Sequence, residues 1–314
     1  MPTKELLVIG ELNVDLILNQ IEGFPEIGTE ILAQKMNLTL GSSSAIMAAN
    51  ASAIGVDTYF CGLIGTDDFG TFILNSLDSK GVKTDFIQKT SEHQSGITVV
   101  MSYDQDRANV TYCGAMEALT YQKIPWADLT GFKHLHLSNF FIQKGIRQDI
   151  VKIFEKAKSL GLTTSLDLQW DPENRWDFDF KNCLPLVDIF MPNQAELLAL
   201  TKKESLDQGL EAIAPYSNIS VIKLGDKGSL AVENGKRISA AAFTNDNPVD
   251  TIGAGDSFNS GFIKKYISGS SLEQCLEYGN LMGALSTTAA GGTAAFSSID
   301  TIKKTLKEKF NSEY

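Results

Sequence analysis

From about residue 130 onward, short apolar runs alternate with segments of helical period. His134 to Ser138, a helix closing at Gly161, Thr163 to Leu168, Val187 to Met191 and Ser220 to Leu224 follow in that order. Continuous apolar runs of this length, separated by amphipathic stretches, predict strand–helix–strand units and hence a mostly parallel sheet covered by helices on both faces. The fold class is α/β, and ligands of such sheets gather at the carboxyl ends of the strands.

The first 115 residues have a different rhythm. Leu6 to Gly10 reads as a short buried strand leading into Val14 to Leu18. A turn with Gly and Pro from Gly23 to Gly28 follows, then Glu30 to Leu40 as an edge strand. Gly96 to Tyr103 and Ala108 to Cys113 flank the polar turn Asp104 to Arg107 and read as a hairpin. Between these strand pairs lies a helix rich in Ala45, Ala48, Ala49 and Ala53. Two strand pairs without helices of their own predict a small β-sheet set apart from the α/β body, formed by about 14–40 and 96–114. A sheet projecting beside a ligand cleft is a candidate lid.

No repeat, low-complexity tract or linker divides the chain, so residues 1–314 read as one domain carrying that lid. With 43% hydrophobic residues the chain can bury a large core, so disorder is not the default expectation. Lys and Arg total 27 against 38 Asp and Glu, a net charge of −11 with no concentrated run. Such a balance opposes nucleic acid and anionic membranes as partners. An anionic nucleotide then needs backbone amides, a helix N-terminus or a metal to reverse the local field. Cys61, Cys113, Cys183 and Cys275 lie far apart with no metal-ligand spacing and read as thiols of a reducing cytoplasm. Neither a leader segment nor a membrane-length apolar run is evident, so the expected location is cytoplasmic.

The strongest local signal is Asp250-Thr251-Ile252-Gly253-Ala254-Gly255-Asp256-Ser257-Phe258, ahead of a run in which Phe258, Phe262 and Tyr266 recur every four residues. Gly253, Ala254 and Gly255 allow their amides to approach an anion at the start of that helix. Asp256 in its first turn could take the proton from a hydroxyl attacking a bound phosphate. The alternative is an ordinary glycine turn with an Asp helix cap. A dinucleotide fingerprint would need glycine at Phe258, and the only Gly-Lys, Gly235-Lys236, precedes Arg237 rather than Ser or Thr. His134 and His136 alternate on one strand face as packing residues.

Asp250 to Phe258 resembles the C-terminal signature of the ribokinase-like (PfkB-type) carbohydrate kinases, and the similarity runs over nearly the whole chain. Asn13-x-Asp15 is similar to the family's sugar-binding start. Gly41 stands where the family has a Gly-Gly pair, and Gly62, Gly65, Asp67, Phe69 and Gly70 fit the segment that follows. Asn193-x-x-Glu196 resembles the element that orders magnesium and phosphate, while Lys223-Leu224-Gly225 and Asn280 match positions lining the nucleotide pocket.

The resemblance implies a three-layer ribokinase-like fold with Asp256 as general base and Gly253, Ala254 and Gly255 as the anion hole. ATP and Mg²⁺ are the implied cofactors. A monovalent cation such as K⁺ would sit beside this loop on Asp250, the Ile252 carbonyl and carbonyls within Ala289 to Ala295. Asn13, Asp15, Gly41, Ser42, Ser43 and Gln169 would meet the acceptor, and Asn193, Lys223, Gly225, Gly253, Gly255 and Asn280 the nucleotide.

The chain also departs from the family pattern. Gly-Gly-x-x-x-Asn becomes Gly41-Ser42-Ser43-Ser44-Ala45-Ile46, so the second glycine and the sugar-contacting asparagine are both replaced. Asp167-x-Gln169-x-Asp171 stands where ketodeoxygluconate kinases carry Asp-x-Asn-x-Arg, without the arginine that meets a substrate carboxylate. The reading is an ATP-dependent kinase for the hydroxymethyl group of a neutral sugar or polyol. Arg107 at the hairpin tip is the exception that could admit an anion. The alternatives are a nucleoside kinase, with Phe24, Tyr103 or Tyr112 as a platform for the base, and a non-catalytic sugar-binding regulator. Exposed lid edges suggest a homodimer through the lids.

Overall fold

In the computed structural model, which describes residues 4–103 and 107–312, Leu6, Leu7, Val8 and Ile9 are all fully buried. Four consecutive apolar residues of one strand can all be hidden only if both faces of the sheet are covered. Leu6 and Val8 pack into one core with helices that include residues 43–53, 254–267 and 272–286. Leu7 and Ile9 pack into the opposite core with the helix at residues 150–159.

The strands are β1 (Lys4–Ile9), β2 (Asn13–Ile21), β3 (Ala33–Leu40), β4 (Thr58–Gly65), β5 (Lys83–Thr90), β6 (Gly96–Ser102), β7 (Arg107–Tyr112), β8 (Phe132–Ser138), β9 (Thr163–Asp167), β10 (Ile189–Phe190), β11 (Ile219–Lys223), β12 (Ser229–Glu233) and β13 (Lys236–Ala240). The helices are α1 (Ser43–Ala53), α2 (Asp68–Ser79), α3 (Lys144–Arg147), α4 (Ile150–Ser159), α5 (Phe180–Cys183), α6 (Gln194–Thr201), α7 (Leu206–Ile213), α8 (Ala254–Ile267), α9 (Leu272–Ser286) and α10 (Ile299–Phe310). The large sheet has nine strands in the order β13-β12-β11-β10-β9-β8-β1-β4-β5. It is parallel from β11 to β5, and only the β12–β13 hairpin at one edge runs antiparallel.

The expected small sheet is present, in the order β3-β2-β6-β7. Each sequence-local pair is antiparallel, but the two pairs join through a parallel β2–β6 ladder that sets Asn13 opposite Gly96. Residues 104–106 of the expected hairpin turn lie outside the described residues. The run Gly65 to Gly70 anchors this sheet to the body. Asp67 accepts from the Gly70 amide at 2.8 Å, capping α2, and from the Ser95 amide at 2.7 Å, while Ser95 Oγ accepts from the Gly65 amide at 2.9 Å. The chain therefore leaves the body for β6 through a fixed turn.

Three differences from the sequence reading have local causes. The edge strand begins at Ala33 rather than Glu30, and β10 shrinks to Ile189–Phe190. Thr163 to Leu168 ends at Asp167, beyond which the Asp167 and Leu168 carbonyls accept from the Asn139 and Phe140 amides. His134 and His136 are packing residues as expected. Both are fully buried against Thr163 and Ser165 hydroxyls, and burial pulls both imidazoles down to about 3, so they stay neutral. Among the described residues no helix is long and apolar enough to cross a membrane.

Candidate active site

The carboxyl ends of the parallel strands converge on one polar region. Glu11 follows β1, Asn139 follows β8, Asp167 ends β9, Asn193 follows β10 and Lys223 ends β11. Onto this floor α8 points its N-terminus. Gly253 starts the helix with φ 73°, a left-handed conformation that glycine adopts without penalty. Asp250 braces the approach: one carboxylate oxygen accepts from the Ile252 amide and the other from the Gly291 amide, each at 2.9 Å. Behind the turn, the buried Ile46 side chain packs so closely on Gly253 and Gly292 that a Cβ at Gly292 would lie 2.6 Å from its Cδ1. The isoleucine at the family's asparagine position thus buttresses the turn.

Asp256 lies in the first turn of α8, 7% exposed. Gln169 Nε2 donates to Asp256 Oδ1 at 3.0 Å and to Asp167 Oδ2 at 3.1 Å, joining the two carboxylates. Asp167 Oδ2 also accepts from Lys223 Nζ at 2.5 Å and Asn259 Nδ2 at 2.6 Å. Burial, and then the charge of Asp167, push the Asp256 carboxyl well above its ordinary range, with Lys223 opposing. Glu196 is raised to about 7 by burial and by Asp167. Burial alone would lower the Lys223 ammonium, but Asp167 and Glu196 outweigh it and hold it raised. Asp167, Glu11 and Glu196 all act to raise the Asp256 carboxyl, and Lys223 is the cation that opposes them. The floor is therefore short of positive charge, and an incoming polyphosphate would have to bring cations with it.

Two clefts meet here. One, of about 880 Å³, is bounded by Asn13, Asp15, Ser42 and Ser43 on one side and by Gln169 and Asp256 on the other. Gly41 lets Asp15 approach, because a Cβ there would fall 2.3 Å from Asp15 Oδ1. Asn13 Nδ2 donates to Asp15 Oδ1 at 3.0 Å and to Thr98 Oγ1 at 2.9 Å, tying the two strand pairs together. Burial raises the Asp15 carboxyl to about 6, while Asn13 and the Arg107 charge oppose it. The second cleft, of about 420 Å³, has apolar walls that include Ala242, Phe243 and Ala284, with Asn280 among its polar members. Asn280 Nδ2 itself donates to the Ala240 and Ala241 carbonyls. Lys223, Gly225, Thr251, Ala254 and Gly255 line both clefts and form the neck between them.

Asn193 and Glu196 face the first cleft. They form a reciprocal cap at the start of α6, in which Glu196 accepts from the Asn193 amide at 2.8 Å and its own amide donates to Asn193 Oδ1 at 2.9 Å. Among the described residues no group of three or more His, Cys, Asp or Glu forms a metal-binding set. Lys223, expected in the nucleotide pocket, reaches it only at the neck and is paired with Asp167. Asp171, at the position of the arginine in ketodeoxygluconate kinases, turns into its own loop and accepts from the amides of Glu173, Arg175 and Trp176. The proposed aromatic platforms are elsewhere: Phe24 and Tyr103 pack on each other at 4.6 Å, and Tyr112 is 51% exposed outside the first cleft.

Sequence reasoning missed Glu11, Asn139 and Asn259. Glu11 and Asn139 are polar residues directly after apolar strands, which was their available signal. Glu11 is 1% exposed; it accepts from Ser42 Oγ at 3.0 Å, Ser44 Oγ at 2.5 Å and Asn139 Nδ2 at 3.2 Å. Burial raises its carboxyl, with Ser44 and Asn139 opposing.

The sequence and the fold are similar to those of known kinases. A ribokinase of Arabidopsis thaliana is 27% identical over 317 residues, covering 96% of this chain and 81% of that enzyme. An ATP-dependent ribose-1-phosphate kinase of Halopiger xanaduensis is 28% identical over 309 residues, covering 98% of this chain and 99% of that enzyme. The solved structure of the Arabidopsis thaliana ribokinase with ribose and ATP superposes with a TM-score of 0.82 at 26% identity, over 97% of this chain and 99% of that one. The pfkB family of carbohydrate kinases matches residues 3–299, which leaves little of the sequence outside it: this chain belongs to that family and is a carbohydrate phosphotransferase.

Proposed function

We propose that the protein transfers the γ-phosphoryl group of ATP to a hydroxymethyl group of a neutral sugar. The observation that carries this reading is the neck. An apolar cleft sized for a nucleoside and a polar cleft suited to hydroxyls meet at one glycine turn, with Asp256 beside it. ATP lies with its base between Phe243 and Asn280 and its phosphates toward Gly225 and the start of α8, where helix amides favour an anion. The sugar lies between Asp15, Asn13 and Ser42. Asp256 takes the proton of the attacking hydroxyl, the new O–P bond forms in line, and the bond to the departing ADP breaks. Gln169, donating to the other side of Asp256, fixes the carboxylate for that proton.

The excess of carboxylates on the floor fits a requirement for Mg²⁺ delivered with ATP, where it offsets charge on the phosphoryl oxygens. Asn193 and Glu196 would orient it through water. K⁺ fits beside Asp250, because each carboxylate oxygen there retains a lone pair after accepting one amide. Arg107 lines the acceptor cleft, and its charge acts on Asp15, so the lid's cation already has a counter-charge. The pairing of Arg107 with Asp15 favours an uncharged acceptor. The intact Asp256 turn disfavours a silent regulator. The lids carry exposed Ile27, Leu32 and Met36, the surface through which a homodimer would form.

The test is ADP release with a panel of hexoses, pentoses, nucleosides and sugar phosphates. A neutral sugar should give the highest kcat/KM. A preference of about tenfold or more for an anionic acceptor, abolished by Arg107→Ala, would overturn the neutral reading.

A further inference from the structure

The loop after β9 is built at unusual cost. Gln169, Asn174 and Trp176 all hold left-handed backbone conformations, with φ of 60°, 52° and 55°. Each such residue is disfavoured for a side chain with a Cβ, so the surroundings must enforce it. From Glu173 to Trp176 the enforcer is Asp171, 1% exposed, which accepts from the Glu173 amide at 3.0 Å, the Arg175 amide at 2.8 Å and the Trp176 amide at 2.7 Å, while Gln169 is held by Asp167. Trp176 is then buried with its indole N–H donating to Asn174 Oδ1 at 2.9 Å, and it packs edge-on against Phe141.

All of this braces one side chain. Trp170 sits at right angles to Trp176, with ring centroids 5.0 Å apart, yet remains 53% exposed. It lines the acceptor cleft beside Pro172 and Ile142, across from Asn13 and Asp15, and it directly follows the residue that holds Asp256. A half-exposed indole on a rigid mount is an arrangement that core packing does not require, because its free face buries nothing. Its negative π face attracts polarised C–H groups, and a fixed ring loses no side-chain entropy when covered.

We propose that Trp170 is a specificity-determining residue that stacks on the C–H face of a ring-form sugar and selects cyclic acceptors against open-chain polyols. This rests on the reading of the cleft as the acceptor site. A furanose or pyranose gathers several C–H groups on one face. An alditol of the same carbon skeleton scatters its hydroxyls along a flexible chain and must be ordered to present any such face. Asn13 and Asp15 can bond the hydroxyls of either, so the discrimination falls to the indole.

The experiment compares ribose with ribitol, fructose with mannitol and glucose with sorbitol, using the full chain. For the best pair, the wild type should favour the ring sugar by about tenfold or more in kcat/KM. Trp170→Ala should bring that ratio to within about threefold, chiefly through KM, and Trp170→Phe should retain most of it. Because Trp170 is half exposed, neither change empties the core. A ratio unchanged in Trp170→Ala, or a wild type that prefers the alditol or adenosine, would overturn the proposal. Tryptophan emission titrated with the same sugars reads binding without turnover. A ring-sugar response lost in Trp170→Phe supports the platform even if no acceptor releases ADP, an outcome that would defeat the kinase reading alone. No response in the wild type overturns the platform.

Discussion

Ser42 holds φ 70° while its hydroxyl donates to the Glu11 main-chain carbonyl at 2.7 Å and lies 3.0 Å from the Glu11 carboxylate. The family's glycine at this position would adopt that backbone freely. Here a serine is held in it by a buried acid, and the same hydroxyl accepts from the Ala45 amide at 2.9 Å to cap α1. Glu11 therefore fixes the turn that carries Ser42 and Ser43 into the acceptor cleft.

Substituting this pair should separate strain from hydrogen bonding. Ser42→Gly should stay within about 1 kcal/mol of the parent, because relief of the left-handed backbone offsets the lost cap. Ser42→Ala keeps the strain and loses both bonds, and should cost about 2–3 kcal/mol in urea denaturation. Glu11→Ala should raise the acceptor KM, and adding Ser42→Gly should recover part of that rise. Equal stability of the Gly and Ala variants would refute the account.

Asp256→Asn should preserve the fold and ATP binding while lowering turnover by roughly 10²-fold or more, the scale of lost general-base catalysis. Isothermal titration with ATP and coupled ADP detection check the two halves. Retention of near-parental turnover would remove Asp256 from the proton transfer.

Asp15 should couple acceptor binding to pH. Its carboxyl is raised to about 6 by burial, so the fold favours the protonated form. That contribution to stability is fully present below about pH 4 and is lost as pH rises through about 6. Asp15→Asn should thus raise Tm relative to the parent at pH 8 and change it little at pH 4. The same variant should raise acceptor KM at pH 8 by about tenfold or more, since a charged acceptor of hydroxyl hydrogen bonds is gone. A Tm difference independent of pH would contradict this.

K⁺ should activate the enzyme. Replacing it with tetramethylammonium at constant ionic strength should lower turnover by about tenfold, because a fixed charge beside the glycine turn strengthens its pull on developing negative charge. Equal rates in both salts would place no cation at Asp250.

Legibility followed the length scale of each interaction. The βαβ half was readable because a buried parallel strand writes itself as a continuous apolar run. Asn13, Asp15 and Asp256 were readable because their spacing is local. The β12–β13 hairpin was overlooked although Asn234-Gly235, both at positive φ, carries the usual two-residue turn signal. Thr58–Gly65 was not singled out as a strand, since its mixture of Thr, Tyr, Cys and Gly shows no alternation. The place of Glu11 after an apolar strand was legible, but its role was not. Its partners Ser42, Ser44 and Asn139 stand 31, 33 and 128 positions away, and only the closed sheet brings them to one carboxylate.

Asn50 in α1 donates to Ser257 Oγ and to the Gly292 carbonyl, each at 2.9 Å and more than 200 positions later in the chain. During synthesis the wall of the polar cleft that carries Asn13, Asp15, Ser42 and Ser43 is made long before α8. The helix start that carries Asp256 then docks on α1 and on the end of β9, both already made. A chain that stops before α8 lacks the glycine turn and Asp256, and with them the neck at which the two clefts meet.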